Sequence, residues 1–180
     1  MKKILFPLGI ISLLMSTSAF AVKNYPCSGA PGTYRDNPDG SEGGFVASTA
    51  TVDSTVHLEL DASVCERAII IEGAKILGRA EVSGRATVRG KVIIQDRAKA
   101  YGEAYIINPH GSDLVVKDEA KIYGHGFLQG SVTVAGTSEI FGWGKVIDYA
   151  QVLGSSKVCG GAVLREFDVI TDDHSFCVQK

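Results

Sequence analysis

The chain has 180 residues, 45% hydrophobic and 21% charged, with a formal net charge of −2. That length fits one domain with a sizeable core. A near-neutral balance without runs of like charge leaves neither nucleic acid nor an anionic membrane surface as a natural partner.

The first 21 residues read MKKILFPLGIISLLMSTSAFA. Two lysines, an apolar run from Ile4 to Met15 and a small-residue end at Ala19-Phe20-Ala21 predict a secretory signal peptide cleaved after Ala21. The apolar run is too short to cross a bilayer and nothing later is longer, so no membrane span is expected. Cys27 follows Asn24-Tyr25-Pro26, which lacks the small apolar residues that precede a lipid-modified cysteine. The expected product is therefore soluble, and periplasmic or secreted. Its four cysteines predict two disulfides in an oxidising compartment.

Residues 22–49 contain YPCSGAPGTYRDNPDGSEGG, rich in Gly, Pro, Asn and Asp, and read as an irregular N-terminal cap. From Ala50 a period of six takes over and holds as far as Pro109. The residues His110-Gly111-Ser112-Asp113 interrupt it, and the same register runs from Leu114 to Gln179. The third position of each hexad is apolar throughout, alanine dominates the first, and glycine takes the fifth in ten of the 21 hexads. Six is the period of neither a strand nor a helix, so the repeat lies above secondary structure.

Each preference has a physical cause. Positions one and three point the same way on a short strand and are inside, while two and four are outside. Gly, Asn and Asp tolerate the left-handed backbone that turns a corner. A hexad is then a strand plus a corner, three corners close a triangle, and 21 hexads make seven coils of 18 residues. This predicts an all-β solenoid over residues 50–180. The cap over 22–49 covers the strand edge that an open first coil would expose.

The units AEVSGR, ATVRGK, AKIYGH and AQVLGS carry a resemblance. From Ala50 to Gln179 the chain resembles the hexapeptide-repeat family of left-handed parallel β-helices. The family's usual unit places glycine directly after the aliphatic residue, whereas one residue intervenes here. That variant is closer to bacterial repeat proteins of largely unassigned function than to the family's transferases. Left-handedness is what the resemblance implies, because the general rule for parallel crossovers favours the opposite hand. A repeat of this kind specifies a fold and hardly constrains a function.

Coil geometry converts cysteine spacing into distance. Cys159 and Cys177 are 18 apart at position four, so they stack on adjacent coils roughly 4.8 Å apart, within disulfide range. Cys65 lies five coils from Cys159, on the order of 24 Å away. The expected pairs are Cys27 with Cys65 and Cys159 with Cys177. No two cysteines have chelating spacing, so no metal is expected.

Numbering the sides of the triangle from the hexad at Ala50, the third side presents Tyr101, Tyr123 and Phe141 at position four. His125 and Trp143 stand beside them at position six. Amphipathic aromatics on a rigid flat face suit a protein or glycan partner, and these five residues are the candidate binding site. The alternative is that like residues stack into ladders that only hold the coils together. The first side turns Ile69, Ile71, Tyr105, Ile107, Phe127 and Ile147 outward, which fits self-association as a homo-oligomer or a different partner. The His110–Asp113 insertion bulges from a corner and reads as a tolerated surface insertion.

Enzyme readings come from the resemblance. Acyl transfer needs a histidine base and coenzyme A or a carrier protein, which are cytosolic supplies. A γ-carbonic-anhydrase-like site needs three histidines converging on zinc. His57, His110, His125 and His174 fall on different sides or distant coils. An ice-binding face would need regular outward threonines, and Thr51, Thr87 and Thr133 are scattered. A periplasmic immunity or inhibitor protein fits the size and disulfides without any residue that signals it. The expectation is an exported, non-enzymatic binding module with no cofactor and no catalytic residue.

Overall fold

The computed structural model describes residues 26–178. The expected signal peptide and its cleavage after Ala21 lie outside the described residues. Within them, no helix is long and apolar enough to cross a membrane.

The repeat folds as a parallel β-solenoid of seven coils. First-side strands run from Thr51–Val52 to Val163–Leu164, second-side strands from His57–Leu58 to Val169–Ile170, and third-side strands from Ser63–Val64 to Ser175–Val178. Strands pair in parallel with partners one coil away, Thr51 opposite Ile69 and Glu81 opposite Lys99. Across the insertion the offset changes, and Ala100 lies opposite Ile122. Coil four absorbs His110–Asp113 between the strands Tyr105–Asn108 and Leu114–Val116 without disturbing the ladder. Asn108, fully buried, fastens the bulge by donating from Nδ2 to Lys91 O at 3.2 Å and to Ser112 O at 2.6 Å.

The core is the third-position column with its alanine neighbours. Every third-position residue from Leu58 to Val158 has no exposed surface. Burial of these aliphatics, at about 25 cal/mol per Å2, supplies the main stabilisation. Alanine dominates position one on the first and third sides, while the second side fills the same position with the buried Val56, Val92, Leu114 and Val132, so small and large residues interdigitate across the triangle.

Corners follow the backbone logic, with one addition. Fifth-position glycines from Gly78 to Gly160 hold positive φ. At Gly84 a Cβ would come within 2.6 Å of Gly102 N, so the stacked corner has no space for a side chain. Asp96, Asp118, Asp148 and Asp172 also take the left-handed region, and so do Glu66, Glu72 and Glu166. The acidic corners have a second use. Asp118 N donates to Asp96 Oδ2 at 3.1 Å, Gly136 N to Asp118 Oδ2 at 2.9 Å, and Gly78 N to Glu59 Oε2 at 2.7 Å. A carboxylate on one coil thus satisfies an amide on the next, where the ladder leaves corner N–H groups unpaired.

The cap holds more regular structure than its composition suggested. Strand β1 (Gly32–Asp36) pairs antiparallel with β2 (Glu42–Ala47), and β2 joins the third side in parallel, Phe45 opposite Ser63 and Val46 opposite Val64. The third side therefore has nine strands where the other two have seven. The turn between β1 and β2 caps the second side. Asn37 Oδ1 accepts from Leu58 N at 2.8 Å and its Nδ2 donates to Leu58 O at 2.9 Å. Arg35 does the same for the first side, donating to Val52 O and Asp53 O. The edges of the first coil are thus closed by a strand and two side chains.

Two cysteine pairs lie at disulfide distance. Cys27 and Cys65 have Cα atoms 5.2 Å apart and tie the cap to coil one. Cys159 and Cys177 face each other in register, 4.5 Å apart at Cα, across the last two coils.

Candidate functional site

The third side positions its outward residues in three columns, because positions two, four and six of successive coils lie one above another. Position four brings Tyr101, Tyr123 and Phe141 together. Tyr101 and Tyr123 stack with ring centroids 5.0 Å apart and planes 2° from parallel, and Tyr123 and Phe141 stack at 5.0 Å and 3°. All three rings are half-buried. Position six brings His125 onto Trp143, centroids 4.1 Å apart, with Trp143 52% exposed. The five residues expected to form the site therefore fall into two stacked columns, Tyr101–Tyr123–Phe141 and His125–Trp143, two positions apart in the hexad.

Two glutamates join it that the sequence reading did not single out. Glu139, at position two, accepts the Tyr123 hydroxyl at 3.2 Å and lies 3.8 Å from both Lys121 and Lys157. Glu103, at position six, lies 3.1 Å from His125 Nδ1 and 3.8 Å from Arg85. The signal for both was present in the hexad alignment, where each falls on the same side as the aromatics. Burial pushes the Tyr123 hydroxyl up to about 12, and the adjacent Glu139 carboxylate adds to the shift. Tyr101 is raised for the same reasons, burial first.

Stacking decides what this surface presents. Each ring in a column covers a face of its neighbour, and the Tyr123 hydroxyl is taken up by Glu139. The position-two column adds charge of both signs, Glu81, Lys99, Lys121, Glu139 and Lys157, with Lys99 Nζ 3.1 Å from Glu81 and Lys99 stacked directly on Lys121.

The first side is a mixed face. Tyr105 and Phe127 stack at 5.8 Å, and Lys145 Nζ lies 5.8 Å from the Phe127 ring centroid. Arg89 stands between Ile71 and Ile107, held by Glu72 at 2.8 Å, and Gln129 stands between Ile107 and Ile147.

The histidines remain apart. His57 is on the second side, His110 is exposed in the corner bulge, and His174 is in the last coil. His174 occupies an inward register position yet is exposed, its Nδ1 2.7 Å from Thr171 O. Among the described residues no group of three His, Cys, Asp or Glu is placed to hold a metal ion.

Comparison with family models, with curated proteins and with solved structures found no match for this chain.

Proposed function

We propose that this chain is an exported, non-enzymatic binding module of hexapeptide-repeat type whose third side docks a protein partner. The observation that carries the reading is the pair of adjacent stacked columns, Tyr101–Tyr123–Phe141 and His125–Trp143. Stacking pre-orders the rings, so they lose little side-chain entropy on binding, and rigid aromatics are common anchors of interfaces. Half-buried rings beside the exposed Trp143 and flanking charges suit a partner that packs against an amphipathic surface. A sugar ring would need an uncovered aromatic face, and within each column the rings cover one another. Glu139, Lys121 and Lys157 flank the columns and would set orientation. The two disulfides and the N-terminal sequence support a periplasmic or secreted location.

The test is affinity capture from cell-envelope extract, followed by titration of the captured partner against Trp143→Ala and Tyr123→Ala. Each truncation is expected to cost about 2 kcal/mol or more of binding energy while the fold survives. If both variants keep parental affinity, the reading fails. A loss of melting temperature with affinity intact would assign the columns a purely structural role.

A further inference from the structure

The third side carries a recess at the end remote from Phe141 and Trp143. It is a cleft of about 840 Å3 where the cap meets the first three coils. That volume lies within the usual range for small-molecule sites. The turn Pro26–Gly29 forms one rim. This rim is held in place: Cys27 is bonded to Cys65 on coil one, and Cys27 and Ser28 sit in the left-handed region at φ 55 and 54. Strained backbone of this sort persists only where its surroundings over-determine it.

Facing the rim is an apolar wall. Tyr34 is 60% exposed and set edge-to-face on Phe45, with centroids 5.6 Å apart and planes at 74°. Leu60 continues the wall and is 49% exposed. Unlike the rings of the columns, Tyr34 has no parallel neighbour covering its face among the described ring pairs, and it lines the cleft.

The remaining lining is charged and internally neutral. Arg79 lies 3.9 Å from Asp61, and Lys99 lies 3.1 Å from Glu81. Two cations matched by two anions give no net field for an ionic ligand of either sign. They do offer carboxylate acceptors beside cationic donors. Solvent-exposed pairs like these contribute little to stability, and each still has hydrogen-bonding capacity to spare.

A ligand complementary to this cleft is uncharged, has an apolar face for Tyr34, and carries closely spaced hydroxyls that give to a carboxylate and accept from a neighbouring cation. That is the chemistry of a pyranose. We propose that the cleft between the Pro26–Gly29 rim and coils one to three binds a neutral oligosaccharide, with Tyr34 under a sugar ring and the Asp61–Arg79 and Glu81–Lys99 pairs on its hydroxyls. The cleft shares the Glu81–Lys99 pair with the position-two column but contains none of the five aromatic-column residues, and it stands whether or not those columns bind a protein.

The experiment uses the disulfide-bonded protein on an array of neutral gluco-, manno-, galacto- and chito-oligosaccharides, with acidic oligosaccharides and extended peptides alongside. Calorimetric titration then follows with the best neutral hit. The parent is expected to bind neutral oligosaccharides. Tyr34→Ala, Glu81→Gln and Lys99→Met should each weaken that binding by about tenfold or more. Lys117→Ala, on the second side, should leave it unchanged. Glu81 and Lys99 lie outside the cap, so their variants report on the cleft even if Tyr34→Ala loosens the hairpin. Binding to no neutral oligosaccharide, preference for peptides, or affinity indifferent to all three cleft variants would overturn the proposal. Loss in Tyr123→Ala with the cleft variants unaffected would also overturn it, moving the saccharide to the columns.

Discussion

The Tyr123 hydroxyl donates to Glu139 Oε2 at 3.2 Å, linking a ring at position four of one coil to a carboxylate at position two of the next. Burial and this carboxylate raise the Tyr123 hydroxyl from its ordinary 10.0 to about 12. The folded state therefore holds the phenolic proton more tightly than the unfolded chain. The stability this contributes is complete below pH 10.0 and is lost as pH rises to about 12. Unfolding free energy measured across that window should fall, and Tyr123→Phe should flatten the fall. Tyrosinate absorbance giving Tyr123 an ordinary midpoint would refute the assignment.

Asn37 closes the first rung of the second side with two hydrogen bonds to Leu58. Asn37 is 6% exposed and Leu58 fully buried. Asn37→Ala leaves the Leu58 N–H and C=O without these bonds, at roughly 1–3 kcal/mol for each orphaned group. Chemical denaturation should show the loss, and hydrogen exchange should show the amide at Leu58 opening first. An unchanged midpoint would mean that water replaces the cap.

The Cys159–Cys177 pair clamps the two last coils. Peptide mapping without reductant should recover these two cysteines linked, and Cys27 linked to Cys65. Replacing Cys159 and Cys177 by serine opens an 18-residue loop, a loss of about 3 kcal/mol in the loop-entropy model. Exchange protection should disappear from the Ser175–Val178 strand before the middle coils. A Cys65–Cys159 link would contradict the coil arrangement itself.

Val134 is fully buried at position three of the fifth coil. Val134→Asp places a carboxylate in an aliphatic column, at a cost of several kcal/mol, roughly the penalty of an unpaired buried group. A thermal melt matching the parent would show that the register is wrong.

Much of this molecule was legible from period alone. The coil length, the inward column from Leu58 to Val158 and the Cys159–Cys177 pair follow from an offset of 18 residues. The stacking of Tyr101 on Tyr123 follows from that offset lengthened by His110–Asp113, and Cys27–Cys65 follows by elimination; the last third-position residue, Phe176, is 42% exposed because no coil covers it. In a solenoid that offset turns sequence separation directly into spatial adjacency. The strand Glu42–Ala47 keeps the same register, Phe45 opposite Ser63, but its glycine-rich surroundings hide it in the sequence, and it also pairs with Gly32–Asp36. Other features follow no offset. Asn37 reads as a turn residue in sequence and becomes a cap only because the hairpin folds back over Leu58. Glu66, Glu72 and Glu166 take a backbone conformation usually left to Gly, Asn or Asp; for Glu72 and Glu166 the backbone amide is received by Asp53 or Asp148 one coil away. The cleft draws on the cap and three coils at once, so no single stretch of sequence contains it. Periodic contacts are set by chain spacing, whereas the cap and the cleft arise from packing between segments with no fixed separation, where burial and hydrogen-bond satisfaction choose the partners.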